Sequence, residues 1–267
     1  MLIAQITDMH IKPPGELLYK RVDTAGFLER AVAHVNALDP RPDIVLATGD
    51  LVDGGRVEEY ALLKQLLAPL GMPVHLIAGN HDAHDAMREV FADHAYLPRT
   101  GFLQYVLEAG PLRLIALDTL VPGKGHGELC AERLDWLEAR LGESGAPTVL
   151  FMHHPPFDCG IQFFDGHGLK QGGPRLAELV RRHGNVERVM CGHVHRPIQV
   201  RWAGTMASIA PSTAHQATLD LRDGAPLSMK MEPPAIALHL WQPGSGLVTH
   251  VSYIGTYDGP SPFRSTQ

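Results

Sequence analysis

A chain of 267 residues, 45% of them apolar, can bury one substantial core and is too apolar to be disordered along most of its length. Its net charge of −6, with no stripe of Lys or Arg, excludes a protein that grips long nucleic acid by its phosphates. No run approaches the roughly eighteen apolar residues of a membrane span, and no basic leader precedes the first apolar stretch, so neither a membrane span nor an export signal is expected.

In chain order, apolar runs of strand length alternate with amphipathic stretches. Leu2 to Thr7 precedes a helix from Val22 to Leu38, Asp43 to Thr48 a helix from Val57 to Leu70, and Val74 to Ala78 a helix from Ala83 to His94. A hairpin follows, Phe102 to Glu108 and Leu112 to Asp118, turning at Ala109-Gly110-Pro111. The alternation resumes with a helix from Glu128 to Leu141, a strand from Thr148 to Met152, a helix from Pro174 to His183 and a strand from Arg188 to Cys191. This pattern predicts an α/β fold with crossover helices.

Beyond His195 the runs are strand-like (Ile198 to Ala203, Met206 to Ala210, Ile236 to Trp241, Leu247 to Tyr253), which predicts antiparallel closure. Residues 213–234 include a stretch rich in Pro, Gly and Met that reads as a cap or oligomerisation segment. Residues 235–255 read as the final strands and 256–267 as a loosely held tail. Cys130, Cys159 and Cys191 are odd in number and far apart, which argues against a disulfide framework and for a cytoplasmic protein.

Sixteen histidines are the compositional oddity, and several cluster where strands end. Asp8 and His10 follow the first strand, Gly49-Asp50 the second and Gly79-Asn80-His81-Asp82 the third. His153-His154 ends the strand from Thr148, and Gly192-His193 and His195 follow the strand ending at Cys191. Ligands in open α/β sheets bind beyond the carboxyl ends of strands, so these five groups should converge. Carboxylate, amide and imidazole donors suit Zn, Mn, Fe or Co and not an all-oxygen calcium site. The residues of Asp8-x-His10 and of His193-x-His195 each share one side of an extended segment. Gly49, Gly79 and Gly192 permit the tight turns that bring donors together.

These motifs, in this order and spacing, resemble the calcineurin-like metallophosphoesterase superfamily, most nearly its class III cyclic-nucleotide phosphodiesterases and bacterial glycerophosphodiesterases, over the chain to about Gln216. The resemblance implies a four-layer αββα sandwich, with residues 1–212 as catalytic domain, and two divalent or mixed-valence transition-metal ions. By the same resemblance Asp8, His10, Asp50 and His195 hold one ion, and Asn80, His154 and His193 the other, with Asp50 between them. Such a pair activates water against a small phosphodiester, a cyclic nucleotide or a glycerophosphodiester. A phosphomonoesterase, a nuclease and a non-catalytic scaffold on the same fold are the alternatives. The resemblance further implies that His81 and Asn80 meet the phosphoryl group, with His81 as acid or charge stabiliser, and that His215, in Thr213-Ala214-His215-Gln216, and Tyr19 reach the site. A homo-oligomer is expected.

The remaining candidates read as ordinary. Adjacent side chains on extended chain point oppositely, so His153 is expected to be a supporting residue beside His154. Asp53 reads as a turn or helix-capping group before Val57. His84, His126 and His167 fall in or near loops, and His34, His75, His94, His183, His239 and His250 within elements or at their edges.

Overall fold

A computed structural model describes residues 1–263. The first half runs β1 (Leu2–Ile6), α1 (Thr24–Ala37), β2 (Ile44–Thr48), α2 (Val57–Leu67), β3 (Val74–Ile77), α3 (His84–Val90), β4 (Tyr105–Ala109), β5 (Leu112–Ala116), β6 (Gly127–Glu128) and α4 (Ala131–Gly142). The second half runs β7 (Thr148–Phe151), α5 (Gln162–His167), β8 (Leu169–Gln171), α6 (Gly173–His183), β9 (Val186–Cys191), β10 (Ile198–Trp202), β11 (Thr205–Ile209), β12 (Gln216–Ala217), β13 (Met229–Lys230), β14 (Ala235–Gln242) and β15 (Gly246–Tyr253). Among the described residues no helix is long and apolar enough to cross a membrane.

Two sheets form the centre. One has the order β15-β14-β1-β2-β3, with β1, β2 and β3 parallel and β14 and β15 antiparallel. The other has the order β10-β11-β9-β7-β5-β4, in which β5, β7, β9 and β11 are parallel and both edge strands antiparallel. Their central strands are buried throughout, as in Ile44–Thr48 and Leu112–Ala116, because each sheet is covered on both faces. Leu28, Ala31 and Val35 of α1 and Tyr60 and Leu63 of α2 pack with the first sheet, while Leu134 and Leu137 of α4 and Leu176 and Val180 of α6 pack with the second. The result is the four-layer αββα arrangement.

Several predicted bounds shift for local reasons. The helix expected from Ala83 to His94 stops at Val90, whose carbonyl accepts a hydrogen bond from Lys64 Nζ at 3.0 Å instead of continuing the helical ladder. Helix α5 carries no legible apolar period because it is only six residues long. Residues 213–234 contain the two-residue strands β12 and β13, paired antiparallel, and residues 235–255 hold β14 and β15. Of the tail, residues 264–267 lie outside the described residues.

A polar network ties the sheets together. Gln5 on β1 donates from Nε2 to Thr48 Oγ1 and to the carbonyl of Cys191 on β9, each at 2.9 Å. His239 on β14, fully buried, donates from Nε2 to Gln5 Oε1 at 3.1 Å, so its Nδ1 accepts from the Thr249 hydroxyl at 2.8 Å. Burial, reinforced by the charge of Arg188, lowers the His239 pKa to about 3. A folded-state pKa below the unfolded value near 6.5 means that the neutral form is required, so its contribution is complete above pH 6.5 and is lost as pH falls toward 3. His239→Gln should therefore flatten the acid limb of stability in that window by about 1.4 kcal/mol per pH unit relative to the parent. Urea unfolding at several pH values measures this, and parallel curves would refute it.

Candidate metal centre

The strand ends deliver their polar residues to one place through an unusual backbone. Asp8, His10, Asp50, His193 and His195 all have positive φ, between 46° and 75°, although none is glycine. Each such residue costs about 1 kcal/mol or more, and such strain persists where surrounding structure over-determines it. The approach is close enough that Gly79 admits no side chain: a Cβ there would lie 2.3 Å from both Asp50 N and Asp50 Oδ1. Gly49 combines φ of +90° with a position where a Cβ would fall 2.5 Å from His153 Nδ1.

The donors meet in overlapping groups, Asp8 with His10 and His195, Asp8 with Asp50 and His153, and His153 with His154 and His193, every member buried. Asp50 links them, with Oδ2 3.7 Å from His10 Nε2 and Oδ1 3.4 Å from His153 Nε2. Asn80 Oδ1 stands 3.0 Å from His193 Nδ1, which adds an amide oxygen to the last group. Asp8 accepts the backbone N–H of His193 at 3.1 Å, and its Oδ1 lies 3.4 Å from His195 Nε2.

Backbone carbonyls set the imidazole tautomers. His153 Nδ1 donates to Thr48 O at 2.8 Å and His195 Nδ1 to His215 O at 3.0 Å, which leaves both Nε2 lone pairs facing the carboxylates. His10 Nε2 and His195 Nε2 stand 3.1 Å apart, a separation suited to two nitrogens that ligate one cation at about 2.0–2.1 Å each. Nε2 of His153, His154 and His193 and Nδ1 of His10 are buried and lack a hydrogen-bond partner. His10 Nδ1 faces the Asp53 carboxylate at 3.6 Å, but the Nε2 atoms of His153, His154 and His193 beside two buried carboxylates fit a bound metal, because unpaired polar atoms are costly in an interior.

The buried ionisable groups shift in opposite directions. Burial raises the Asp8 carboxyl and Asp50 adds to the rise, whereas on Asp50 burial is outweighed by His153, His81 and His10, which hold it well below the usual carboxylate range. Burial, then the neighbouring imidazoles, pushes His154 and His193 well below the ordinary histidine value and His195 down to about 3. Neutral imidazoles are the state that binds metal, whereas on His10 burial is outweighed by Asp53, Asp50 and Asp8, which raise it, and on His153 by Asp50 and Asp8, which push it up to about 9, so a bound cation would displace a proton from those two.

Around these donors lies a cavity of ≈ 510 Å³. His81 and Asn80 line it, and His81 Nδ1 donates to Asp53 O at 2.9 Å. His215 lines it with its ring 4.6 Å from that of His195, its pKa lowered to about 2 by burial and then by His195. Tyr19, with φ of +50°, stands edge-on to His215 at 5.9 Å. All of the residues singled out from sequence motifs are thus brought together.

Two side chains near the centre do not follow their sequence reading, and a third had none. His153 and His154 lie beyond the end of β7, where strand alternation no longer applies, and both rings face the donor cluster. Asp53 does not cap α2, whose first turn follows Arg56. Its carboxylate instead takes Lys12 Nζ at 2.9 Å and lies 3.6 Å from both His10 Nδ1 and His81 Nδ1. Thr119 carried no signal in the sequence, yet its Oγ1 is 2.8 Å from His154 Nδ1. Of the loop histidines, His84 begins α3 and pairs with Asp118 at 2.8 Å, His126 pairs with Glu128 at 3.2 Å, and His167 lines the cavity.

Buried carboxylates and imidazoles at the carboxyl ends of strands in a two-sheet sandwich define a metal-dependent hydrolase. The chain matches the calcineurin-like phosphoesterases over residues 1–197 and belongs to that family, whose members use divalent metal ions. It is 40% identical over 264 residues to a protein of Arcobacter nitrofigilis named a probable glycerophosphodiester phosphodiesterase, covering 98% of this chain and 97% of that one. It is 35% identical over 267 residues to a Rhodopseudomonas palustris protein named a probable cyclic nucleotide phosphodiesterase, covering 97% of this chain and 94% of that one. The fold is similar to that of a dimetal phosphatase from Danio rerio, with a TM-score of 0.64 at 15% identity, over 96% of this chain and 99% of that one.

Thr119→Val should weaken Mn²⁺ binding by about 10–100-fold, the range typical when an imidazole ligand loses its orienting hydrogen bond. Calorimetric titration of the chelator-treated protein measures this. Unchanged affinity would deny Thr119 that role.

Proposed function

We propose that this protein hydrolyses small phosphodiesters, glycerophosphodiesters or 3′,5′-cyclic nucleotides, at a pair of divalent transition-metal ions. The observation that carries the reading is the placement of Asp50, whose two oxygens face His10 on one side, at 3.7 Å, and His153 on the other, at 3.4 Å. A carboxylate between two donor groups suits two cations better than one. Asp8, His10, Asp50 and His195 are assigned to one ion, and Asn80, His193 and the His153–His154 pair, with Asp50, to the other. Bound there, two divalent cations supply a nucleophile from water at neutral pH and offset charge on the phosphoryl oxygens.

The chain's own residues then orient and discharge the substrate. His81, held by its Nδ1 on Asp53 O, keeps its second ring nitrogen free at the cavity for the departing ester oxygen. Asp53 steadies both His81 and His10 and is itself held well below the ordinary carboxylate range, with His10 and Lys12 overcoming burial. Asn80 lines the cavity beside His193 and would help hold a metal there, and its neutral amide adds no repulsion toward an anionic diester. Among the described residues no Lys or Arg lines the cavity, which favours a small diester over a polynucleotide. Residues 213–234 act as a cap, since Leu227, Ser228 and Met229 roof the cavity, and exposed Leu219, Leu221 and Met231 offer a contact for a second copy.

With Mn²⁺ the protein should turn over bis(p-nitrophenyl) phosphate, and its absence would remove the proposal. Asp50→Ala and His153→Ala should lower metal content and activity together, as elemental analysis beside the assay would record. His81→Ala should keep its metal and lose about 100-fold or more in kcat on diesters with alkyl leaving groups, but less on p-nitrophenyl esters, whose leaving group needs no proton. Full activity of His81→Ala on alkyl diesters would exclude this role.

A further inference from the structure

The cavity has two unlike halves. Its floor is the cluster of carboxylates, amide and imidazoles. Its far wall is apolar, made by Phe163 and Phe164 of α5, Ala217, and Leu227 and Met229 of the excursion. Phe163 stays 37% exposed and Leu227 54% exposed, which is costly for large apolar side chains unless something covers them. Both elements are secured. Gly224 N donates to Gln162 Oε1 at 2.6 Å, which ties the excursion to α5. His167 Nδ1 donates to Phe163 O at 2.7 Å, and the His167 ring stacks on that of Phe163 at 4.3 Å with 19° between planes. Phe164 stands edge-on to His193, 5.4 Å between ring centres, so the wall begins one side chain from the donor cluster.

We propose that this wall is a subsite for a flat, uncharged ring carried on one ester oxygen of the substrate, either a nucleobase or a substituted phenyl group. Phe163 and Leu227 would thereby select ring-bearing diesters over glycerol-headed ones. The inference deepens the phosphodiesterase reading and rests on it. Stacking on an aromatic side chain tolerates any planar ring, because every such ring has a π face. A polyol on the same wall meets mainly apolar side chains, with the Ser228 hydroxyl and the His167 imidazole as polar side-chain partners, and would leave part of its own hydroxyls desolvated without hydrogen bonds. Phe163 is a specificity residue here and has no part in the chemical step.

The test is binding of three monophosphates to the Mn²⁺-loaded protein by calorimetry: adenosine 5′-monophosphate, phenyl phosphate and glycerol 3-phosphate. The phosphate is common to all, so differences report on the wall. The parent should bind the two ring-bearing compounds about tenfold more tightly than glycerol 3-phosphate. Phe163→Ala should remove about tenfold from those two and leave glycerol 3-phosphate within about twofold, and Leu227→Ser should act in the same direction. A loss confined to adenosine 5′-monophosphate would assign the wall to nucleobases, and one confined to phenyl phosphate to compact aryl groups. Equal affinities in the parent, or an equal loss for all three in Phe163→Ala, would overturn the subsite. Turnover of bis(p-nitrophenyl) phosphate measured on the same samples separates the two readings: without it the phosphodiesterase proposal fails, while the affinity ratios still decide the wall.

Discussion

Asp8 and Asp50 sit side by side with essentially no access to water, ringed by imidazoles of which His153, His154 and His193 have an Nε2 without a hydrogen-bond partner. Charges in such a place are costly unless matched, and the neutral imidazoles of His154, His193 and His195 do not match them. A cation answers both needs at once, since it takes the lone pairs and offsets the carboxylates. The opposite pKa directions of Asp8 and Asp50 express the same tension without a cation, because two neighbouring buried carboxylates resist being charged together.

That electrostatic demand explains why so much of the fold is committed to a few side chains. Parallel strands from two different sheets end at the same level, and Gln5 joins the sheets through Thr48 and the carbonyl of Cys191 just below the donors. Thr48 also uses its own carbonyl to orient His153. Five non-glycine residues hold left-handed backbone to present their side chains, and the core beneath them, Ile6, Leu46, Ala47, Ile77 and Val189, is fully packed. Strain in the turns is thus set against burial in the strands.

Above the donors the cavity changes character within one side chain, from His193 to Phe164. A polar floor with an apolar wall suits a ligand whose reacting group is anionic and whose remainder is not. The wall is built from α5 and the segment from β12 to β13, none of which belongs to the two large sheets. The apolar wall is thus carried on these peripheral segments, while the donor cluster is carried on the ends of the central strands.

The αββα layering came only through the family resemblance, while the order of strands and helices and the motif residues Asp8, His10, Asp50, Asn80, His193 and His195 were legible in the sequence, because strand periodicity, glycine turns and donor types are local properties of the chain. His153 was not. Its neighbour relation to His154 implies opposite facing only while the chain is extended, and whether β7 ends at Phe151 or continues depends on its pairing with β5 and β9. Asp53 and Thr119 were likewise decided by tertiary contact, the one drawn from α2 to Lys12, the other brought to His154 from 35 residues away. The apolar wall joins Phe163 to Leu227 across a fold-back that no local period encodes. Local sequence determined which groups could serve as donors, and only packing of distant segments determined which way each one faces.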